Sequence, residues 1–303
     1  MMKKIHNPDM LRKRANRIGV LILLYVIIFG LMFIILKPFI YKILMGFMHP
    51  DDLLDSTVRL VPRLFSTYYW ETALEGLRLK EAGFNTMFLS LLVATISVAV
   101  CAWIGYGLAR FKFKGKNIAF AFVIIIMLIP FSVTRIAQYL QFVYFGIGSW
   151  RVDLTDSFWP IIILSATGLG LKEGLYIYMF REFFNSLPES LEEAAYIDGA
   201  GVFSTLFRVI LPNARTIMLT VFIFSFCWQY TDTAYSSLFF NEKPVFANVI
   251  NTIYIRVGLN ADILGTYITR NAAAMLIMIP LIILFGFCQR FFLKSVTLSG
   301  LAN

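Results

Sequence analysis

The chain has 303 residues, of which 59% are hydrophobic and 15% are charged, and its mean hydropathy is +0.74. A soluble domain could not bury that much apolar surface, so the composition excludes one and indicates a protein that crosses a membrane several times. The net charge of +9 could suggest nucleic acid. Because the basic residues lie beside apolar runs, as in the pattern that orients membrane spans, we expect contact with membrane lipid and no nucleic-acid partner.

Six apolar stretches are long enough to cross a bilayer, which takes about 20 residues. They cover residues 19–36, 84–109, 117–135, 157–180, 216–240 and 271–289. The predicted fold class is therefore an all-α polytopic membrane protein with six transmembrane helices. The predicted organisation is a basic cytoplasmic arm (1–18), a first span with an external segment (19–83), a core of five spans (84–293) and a cytoplasmic tail (294–303).

The placement of charge predicts the orientation of the spans. Six basic residues precede the first span, and four more lie in the link between spans two and three, at Arg110, Lys112, Lys114 and Lys116. Basic residues mark the cytoplasmic side, so both termini and the loop between spans four and five are expected inside. We expect short helices in the external segment, 46–83. Three cysteines fall within spans, where they are expected to be packing residues.

Small residues close the second span, at Gly105, Gly107 and Ala109, and would let helices approach closely. Span one is predicted to end at Lys37-Pro38. Pro130 removes a backbone donor from span three and is expected to kink that helix.

Ionisable and amide side chains within the spans are candidates for a substrate path, because polar groups are costly there and suggest function by default. The candidates are Gln138 and Gln141 after the third span, Lys172 and Glu173 in the fourth, and Gln229 and Asp232 in the fifth. The glutamines could equally lie in the outer membrane interface. The alternatives for the charged residues are structural contacts with neighbouring spans, or a break in span four at its glycines.

The loop between spans four and five, 185–212, predicts two short helices joined by a glycine. Ser186 and Glu189 fit a capping box, and Gly199 suits a left-handed helix end. A second helix is expected at 201–210, ended by Leu211-Pro212. Its apolar stripe would consist of Phe203, Leu206, Phe207 and Ile210.

The same loop contains Glu193-Ala194-Ala195-Tyr196-Ile197-Asp198-Gly199 and, after nine residues, Val209-Ile210-Leu211-Pro212. This resembles the EAA loop of permease subunits in ATP-binding-cassette importers, with Val209 where that family usually has Ile. The segments 105–116, 178–184 and 289–297 resemble the maltose-type carbohydrate branch of the same family. Departures include Gly105 in place of Ala, and Trp228-Gln229-Tyr230 in place of Trp-Asn-Asp.

The resemblance implies a permease subunit that forms half of a path for a sugar or oligosaccharide. It also implies an external solute-binding protein, a second homologous permease and two cytoplasmic ATPases. The loop would dock on an ATPase through Glu192, Glu193, Ala194, Ala195, Asp198, Gly199, Leu211 and Pro212. The expected location is a bacterial or archaeal cell membrane.

The chain has no phosphate-binding loop of the Gly-x-x-x-x-Gly-Lys-Ser/Thr type, since its one Gly-Lys pair, Gly115-Lys116, precedes Asn117. We therefore expect no catalysis and no cofactor in this chain, with ATP and Mg²⁺ bound by the partner ATPase. A permease for a polyamine or an anion remains an alternative. A secondary transporter would need inverted repeats, which we do not find. A membrane enzyme ranks last, because both histidines, His6 and His49, lie outside the spans and no metal or nucleophile cluster is visible.

Overall fold

The computed structural model describes residues 8–55, 57–58, 61–258 and 262–300, and almost all of its regular structure is α-helical. The exceptions are an antiparallel hairpin of β1 (Phe145–Ile147) and β2 (Trp150–Val152) and two π-helical turns, Leu79–Gly83 and Leu206–Ile210. The helices before and around the hairpin are α1 (Pro8–Gly46), α2 (Pro50–Leu54), α3 (Tyr68–Gly76), α4 (Phe84–Arg110), α5 (Lys116–Leu128), α6 (Phe131–Val143), α7 (Trp159–Ala166) and α8 (Glu173–Ser186). The later helices are α9 (Ser190–Ile197), α10 (Val202–Thr205), α11 (Leu211–Asn213), α12 (Arg215–Tyr230), α13 (Ala234–Phe239), α14 (Phe246–Arg256) and α15 (Ile263–Gly300).

Within the described part, three helical segments are each long and apolar enough to cross a membrane: Arg17–Gly46, Leu79–Arg110 and Ile263–Gln289. Two bent pairs raise the number to five if each pair is one span. They are α5 with α6, bent by 102°, and Val202–Asn213 with α12, bent by 77°. Because Pro130 separates α5 from α6, the kink predicted there is confirmed.

The prediction that 157–180 forms one continuous span is wrong, because α7 ends at Ala166 and α8 begins only at Glu173. Gly168 and Lys172 have φ values of +76° and +64°, a left-handed conformation that stops a right-handed helix. The alternative expectation from the sequence, a break in span four at its glycines, is therefore the one that the structure shows.

The centre of the fold is α4, which packs against α8 on one side and α12 on another. Its buried residues include a row of small and polar side chains spaced three or four apart, so that they share one face: Thr86, Ser90, Ala94, Ser97, Cys101 and Gly105. The close helix approach predicted for this end of α4 occurs at Gly105. A Cβ atom there would lie 2.6 Å from the Phe180 Cβ and 3.0 Å from the Arg181 backbone nitrogen.

The first helix, α1, is exposed from Arg17 to Tyr41. Among the described elements, α15 and α3 are the ones that pack substantially against it. It continues through Pro38, so the predicted end at Lys37-Pro38 is wrong. Membrane helices tolerate an internal proline when other groups satisfy the freed carbonyl. The short helices expected in the external segment are α2 and α3. The predicted boundary between core and tail, at residue 293, falls within α15, which runs to Gly300.

Candidate functional site

The loop between α8 and α12 has the helix–glycine–helix form that its sequence predicts. Helix α9 ends beside Gly199, whose φ is +81°. The Gly199 and Ala200 amides donate to the Tyr196 and Ala195 carbonyl oxygens at 3.0 and 2.9 Å, which closes the end of α9. A second helical stretch then begins at Val202 and ends at Asn213, where the chain turns into α12.

The capping box predicted from Ser186 and Glu189 is wrong. Ser186 is the last residue of α8, and its hydroxyl donates to the Phe183 carbonyl oxygen at 2.7 Å. Leu187 is extended, with ψ of 138°, because the helical conformation is unfavourable for a residue that precedes a proline. The new helix can therefore start no earlier than Pro188, and α9 begins at Ser190.

The apolar stripe predicted for the second stretch is also wrong, and the stretch runs one residue past its predicted end at Leu211-Pro212, to Asn213. Leu206–Ile210 forms a π turn, which departs from the spacing of 3.6 residues per turn that the stripe requires. Leu206 and Ile210 are buried, whereas Phe203 and Phe207 are 63% and 57% exposed. The helix does not stop at Pro212, because this proline lies in the first turn of α11, where its missing N–H does little harm.

The eight residues predicted to dock on an ATPase fall into three groups. Glu193, Ala194, Asp198 and Gly199 are exposed, Leu211 and Pro212 are half-buried, and Glu192 and Ala195 are buried. Large apolar side chains that were not among the residues predicted to dock are exposed beside them. These are Ile197, Val202, Phe203 and Phe207. Exposed apolar groups beside acidic ones form a surface suited to a protein partner.

Arg110 at the end of α4 holds the first part of this loop, a role that the sequence analysis missed. Its Nη2 donates to the Leu187 carbonyl oxygen at 2.8 Å, and its Nε lies 3.0 Å from Glu192 Oε1. The Arg110 and Glu192 side chains are only 8% and 11% exposed. Glu189 Oε1, 4.0 Å from Nη1, adds a looser ion pair. The loop that presents the residues predicted to dock is thus bonded directly to the central helix.

The six candidate path residues do not form one site. Gln138, Lys172 and Glu173 line a cavity of about 230 Å³ between the α5–α6 bend and the α7–α8 break. Gln229 and Asp232 line a separate cleft of about 10 Å³ beside α4, room for about one water molecule. Gln141 is exposed on α6 and does not line either space.

Asp232 is a helix cap. Its carboxylate accepts hydrogen bonds from the backbone amides of Ala234, Tyr235 and Ser236 at 3.1, 3.2 and 2.8 Å, at the start of α13. An Asp placed just before a short apolar helix is a recognisable N-terminal signal, so this structural role could have been read from the sequence.

Replacing Asp232 with Ala is expected to destabilise the protein by about 2 kcal/mol, at the upper end of the range for a lost cap. Thr233→Ala is the matched control, since Thr233 occupies the adjacent cap position without a capping hydrogen bond from its side chain. The unfolding midpoint of each variant in detergent gives the comparison. Equal midpoints for the two variants would show that the Asp232 hydrogen bonds add no stability.

Known proteins resemble this chain in sequence and in fold. The family model described as "Binding-protein-dependent transport system inner membrane component" matches residues 99–298, which include every candidate residue above. The chain is 25% identical over 282 residues to the maltodextrin transport system permease protein MalD of Streptococcus pneumoniae, covering 92% of this chain and 94% of that protein.

A second relative is the sn-glycerol-3-phosphate transport system permease protein UgpE of Rhizobium meliloti. It is 25% identical over 299 residues, covering 95% of this chain and 98% of that protein. Among solved structures, a chain from a bacterial ABC transporter involved in the import of the acidic polysaccharide alginate superposes with a TM-score of 0.72 at 20% identity. The match covers 92% of this chain and 98% of that one. At this identity, the likeness confirms the polytopic helical fold alone.

Proposed function

Because the chain belongs to the family of binding-protein-dependent transport system inner-membrane components, we propose that it is a permease subunit forming half of the path of an ATP-driven importer. Its substrate is a sugar or oligosaccharide delivered by an external solute-binding protein. The maltodextrin permease, related over nearly the whole chain, supports this substrate class. The protein is a multi-pass membrane protein, with both termini on the cytoplasmic side in this proposal.

The observation that carries the proposal is the surface of the loop around Gly199. Exposed Glu193 and Asp198 stand beside the 86% exposed side chain of Ile197, and Ala194 leaves room for close approach. A cytoplasmic ATPase that bound this surface would move α9. Since Arg110 joins the α9 segment to α4, the movement would reach the centre of the permease. ATP and Mg²⁺ belong to the ATPase, and this subunit is not catalytic.

The test is to purify the tagged chain from its native membrane and identify bound proteins by mass spectrometry. We expect an ATPase, a second permease and a solute-binding protein, with ATP hydrolysis stimulated by one class of oligosaccharide. Absence of any ATPase would contradict the coupling role. An ATPase recovered with a binding protein for a polyamine or an anion would keep the coupling role and contradict the sugar assignment.

Replacing Gly199 with Val is expected to weaken ATPase binding about fivefold to thirtyfold, because a left-handed conformation costs an ordinary residue about 1–2 kcal/mol. A Cβ atom at Gly199 would meet nothing within 4 Å, so the effect comes from the backbone alone. Gly201→Val is the matched control, since Gly201 has equal space and a φ of −79°. Quantitative recovery of the ATPase with each variant measures the difference, and equal recovery would argue against docking through this turn.

A further inference from the structure

The cavity of about 230 Å³ lies where two interrupted helices meet. One wall is the 102° bend between α5 and α6, a second is the break between α7 and α8, and Tyr235 of α13 contributes a third. Irregular backbone at membrane depth is tolerated where it is buried in protein or lines a water-accessible cavity. The position of these two interruptions therefore points to a space that a polar solute can enter.

Polar groups on opposite walls of this cavity have hydrogen-bonding capacity to spare. The Gln138 Oε1 is buried and accepts no hydrogen bond from the described residues. Glu173 is 1% exposed, and its two carboxylate oxygens accept from Ser97 Oγ at 2.6 Å and from the Gly170 amide at 3.0 Å. These bonds fix the carboxylate, and each oxygen keeps a further lone pair. An amide and an oriented carboxylate are groups that bind hydroxyls.

The remaining walls suit the less polar face of a ring. Phe131 and Tyr235 stand with their ring centroids 4.5 Å apart and both line the cavity. Ligand sites commonly combine such aromatic walls with a few placed polar groups. Of the described lining residues, only Lys172 and Glu173 are charged, and their formal charges cancel. This balance favours a neutral ligand over an anion.

We propose that this cavity is the subunit's share of the binding site for one neutral sugar ring, with Gln138 and Glu173 as hydrogen-bonding groups and Phe131 with Tyr235 as the apolar wall. The inference rests on the proposed function and assigns the site and the charge class of its ligand. Whole small-molecule sites occupy about 300–1,000 Å³. A cavity of about 230 Å³ therefore supplies part of a site, which the second permease completes.

The test uses the purified complex of both permeases and the ATPases, without the binding protein, in nucleotide-free and vanadate-trapped states. Equilibrium binding is measured with tritiated maltotriose, arabinotriose and β-1,4-galactotriose, and with trigalacturonate as the acidic counterpart. One neutral trisaccharide is expected to bind more tightly than trigalacturonate. Gln138→Ala should raise its Kd about fivefold to tenfold, the effect of one lost hydrogen bond. Gln141→Ala should leave the Kd unchanged, because Gln141 lies on the same helix, is exposed and does not line the cavity.

Tyr235→Leu is a second variant that removes the aromatic ring from the apolar wall, and it should raise the Kd about twofold to tenfold. Equal Kd values for the two glutamine variants, tighter binding of trigalacturonate, or no binding by the wild-type complex would overturn the assignment. Uptake by the same complex in proteoliposomes with the binding protein distinguishes an error in the cavity assignment from an error in the proposed function. Sugar uptake without binding at this cavity would overturn the inference alone, whereas loss of all ATP-dependent uptake would count against the proposed function itself.

Discussion

Replacing Arg110 with Ala is expected to uncouple ATP hydrolysis from transport and to destabilise the protein by about 3–5 kcal/mol. The reason is that Glu192, with a side chain only 11% exposed, would keep its charge and lose its partner. The Leu187 carbonyl oxygen would also lose the donor that ties the loop to α4. ATPase binding would then move the loop around Gly199 without moving the central helix.

Two further variants separate the loss of the ion pair from the loss of a basic residue. Lys112→Ala removes an exposed positive charge two residues away and should change neither stability nor coupling. Arg110→Met combined with Glu192→Leu removes both charges and should recover most of the stability, since buried pairs are often replaceable by apolar residues. Unfolding midpoints and sugar-stimulated ATP hydrolysis are the measurements. If the unfolding midpoint and the sugar-stimulated ATP hydrolysis of Arg110→Ala were both normal, the contact between Arg110 and Glu192 would contribute neither to stability nor to coupling.

Replacing Gly105 with Val should force α4 away from α8 and lower stability by about 3 kcal/mol, the upper end of the usual range for overpacking. Two of the three nearest atoms belong to the α8 backbone, the Arg181 nitrogen at 3.0 Å and the Ile177 carbonyl oxygen at 3.2 Å from the added Cβ. A backbone cannot move aside as a side chain can. The helix as a whole must shift, which disturbs the edge-to-face contact of Tyr106 with Phe184, now 5.6 Å between centroids.

Gly107→Val is the control for this substitution, because the nearest atom to its Cβ would be Phe111 Cδ2 at an ordinary 3.9 Å. Both variants place the same β-branched residue near the same end of α4, so their propensity costs cancel. We expect the unfolding midpoint in detergent to fall for Gly105→Val and to change little for Gly107→Val. A similar fall in both would mean that helix propensity, and not the α4–α8 contact, governs this position.

The sequence predicted correctly those features that depend only on neighbouring residues. Hydropathy indicated the all-α membrane fold, and Gly199 occurs in the left-handed conformation that its position predicted. The role of Arg110 could not be read in the same way. Its charge beside an apolar run is equally explained by membrane topology, and its contacts with Leu187 and Glu192 join distant parts of the chain.

Other differences arise where packing chooses between local alternatives. A π turn such as Leu206–Ile210 has no sequence signature of its own, so helical periodicity wrongly grouped Phe203 with Ile210. Gln138 and Gln141 have the same chemistry and lie three residues apart, and only the fold decides that Gln138 lines a cavity. Composition could nominate both, but it could not choose between them.

The exposure of α1 has a consequence for how its sequence can change. From Arg17 to Tyr41, each residue is exposed on this subunit. Few neighbouring residues of the protein therefore constrain which apolar side chain occupies each position. What membrane insertion requires of such a helix is sufficient length and apolar character. Ile, Leu, Val and Phe are therefore nearly interchangeable along this stretch. Two such proteins could differ at most positions of α1 and insert it equally well, so divergence there would record mutational drift and would carry little information about the solute transported.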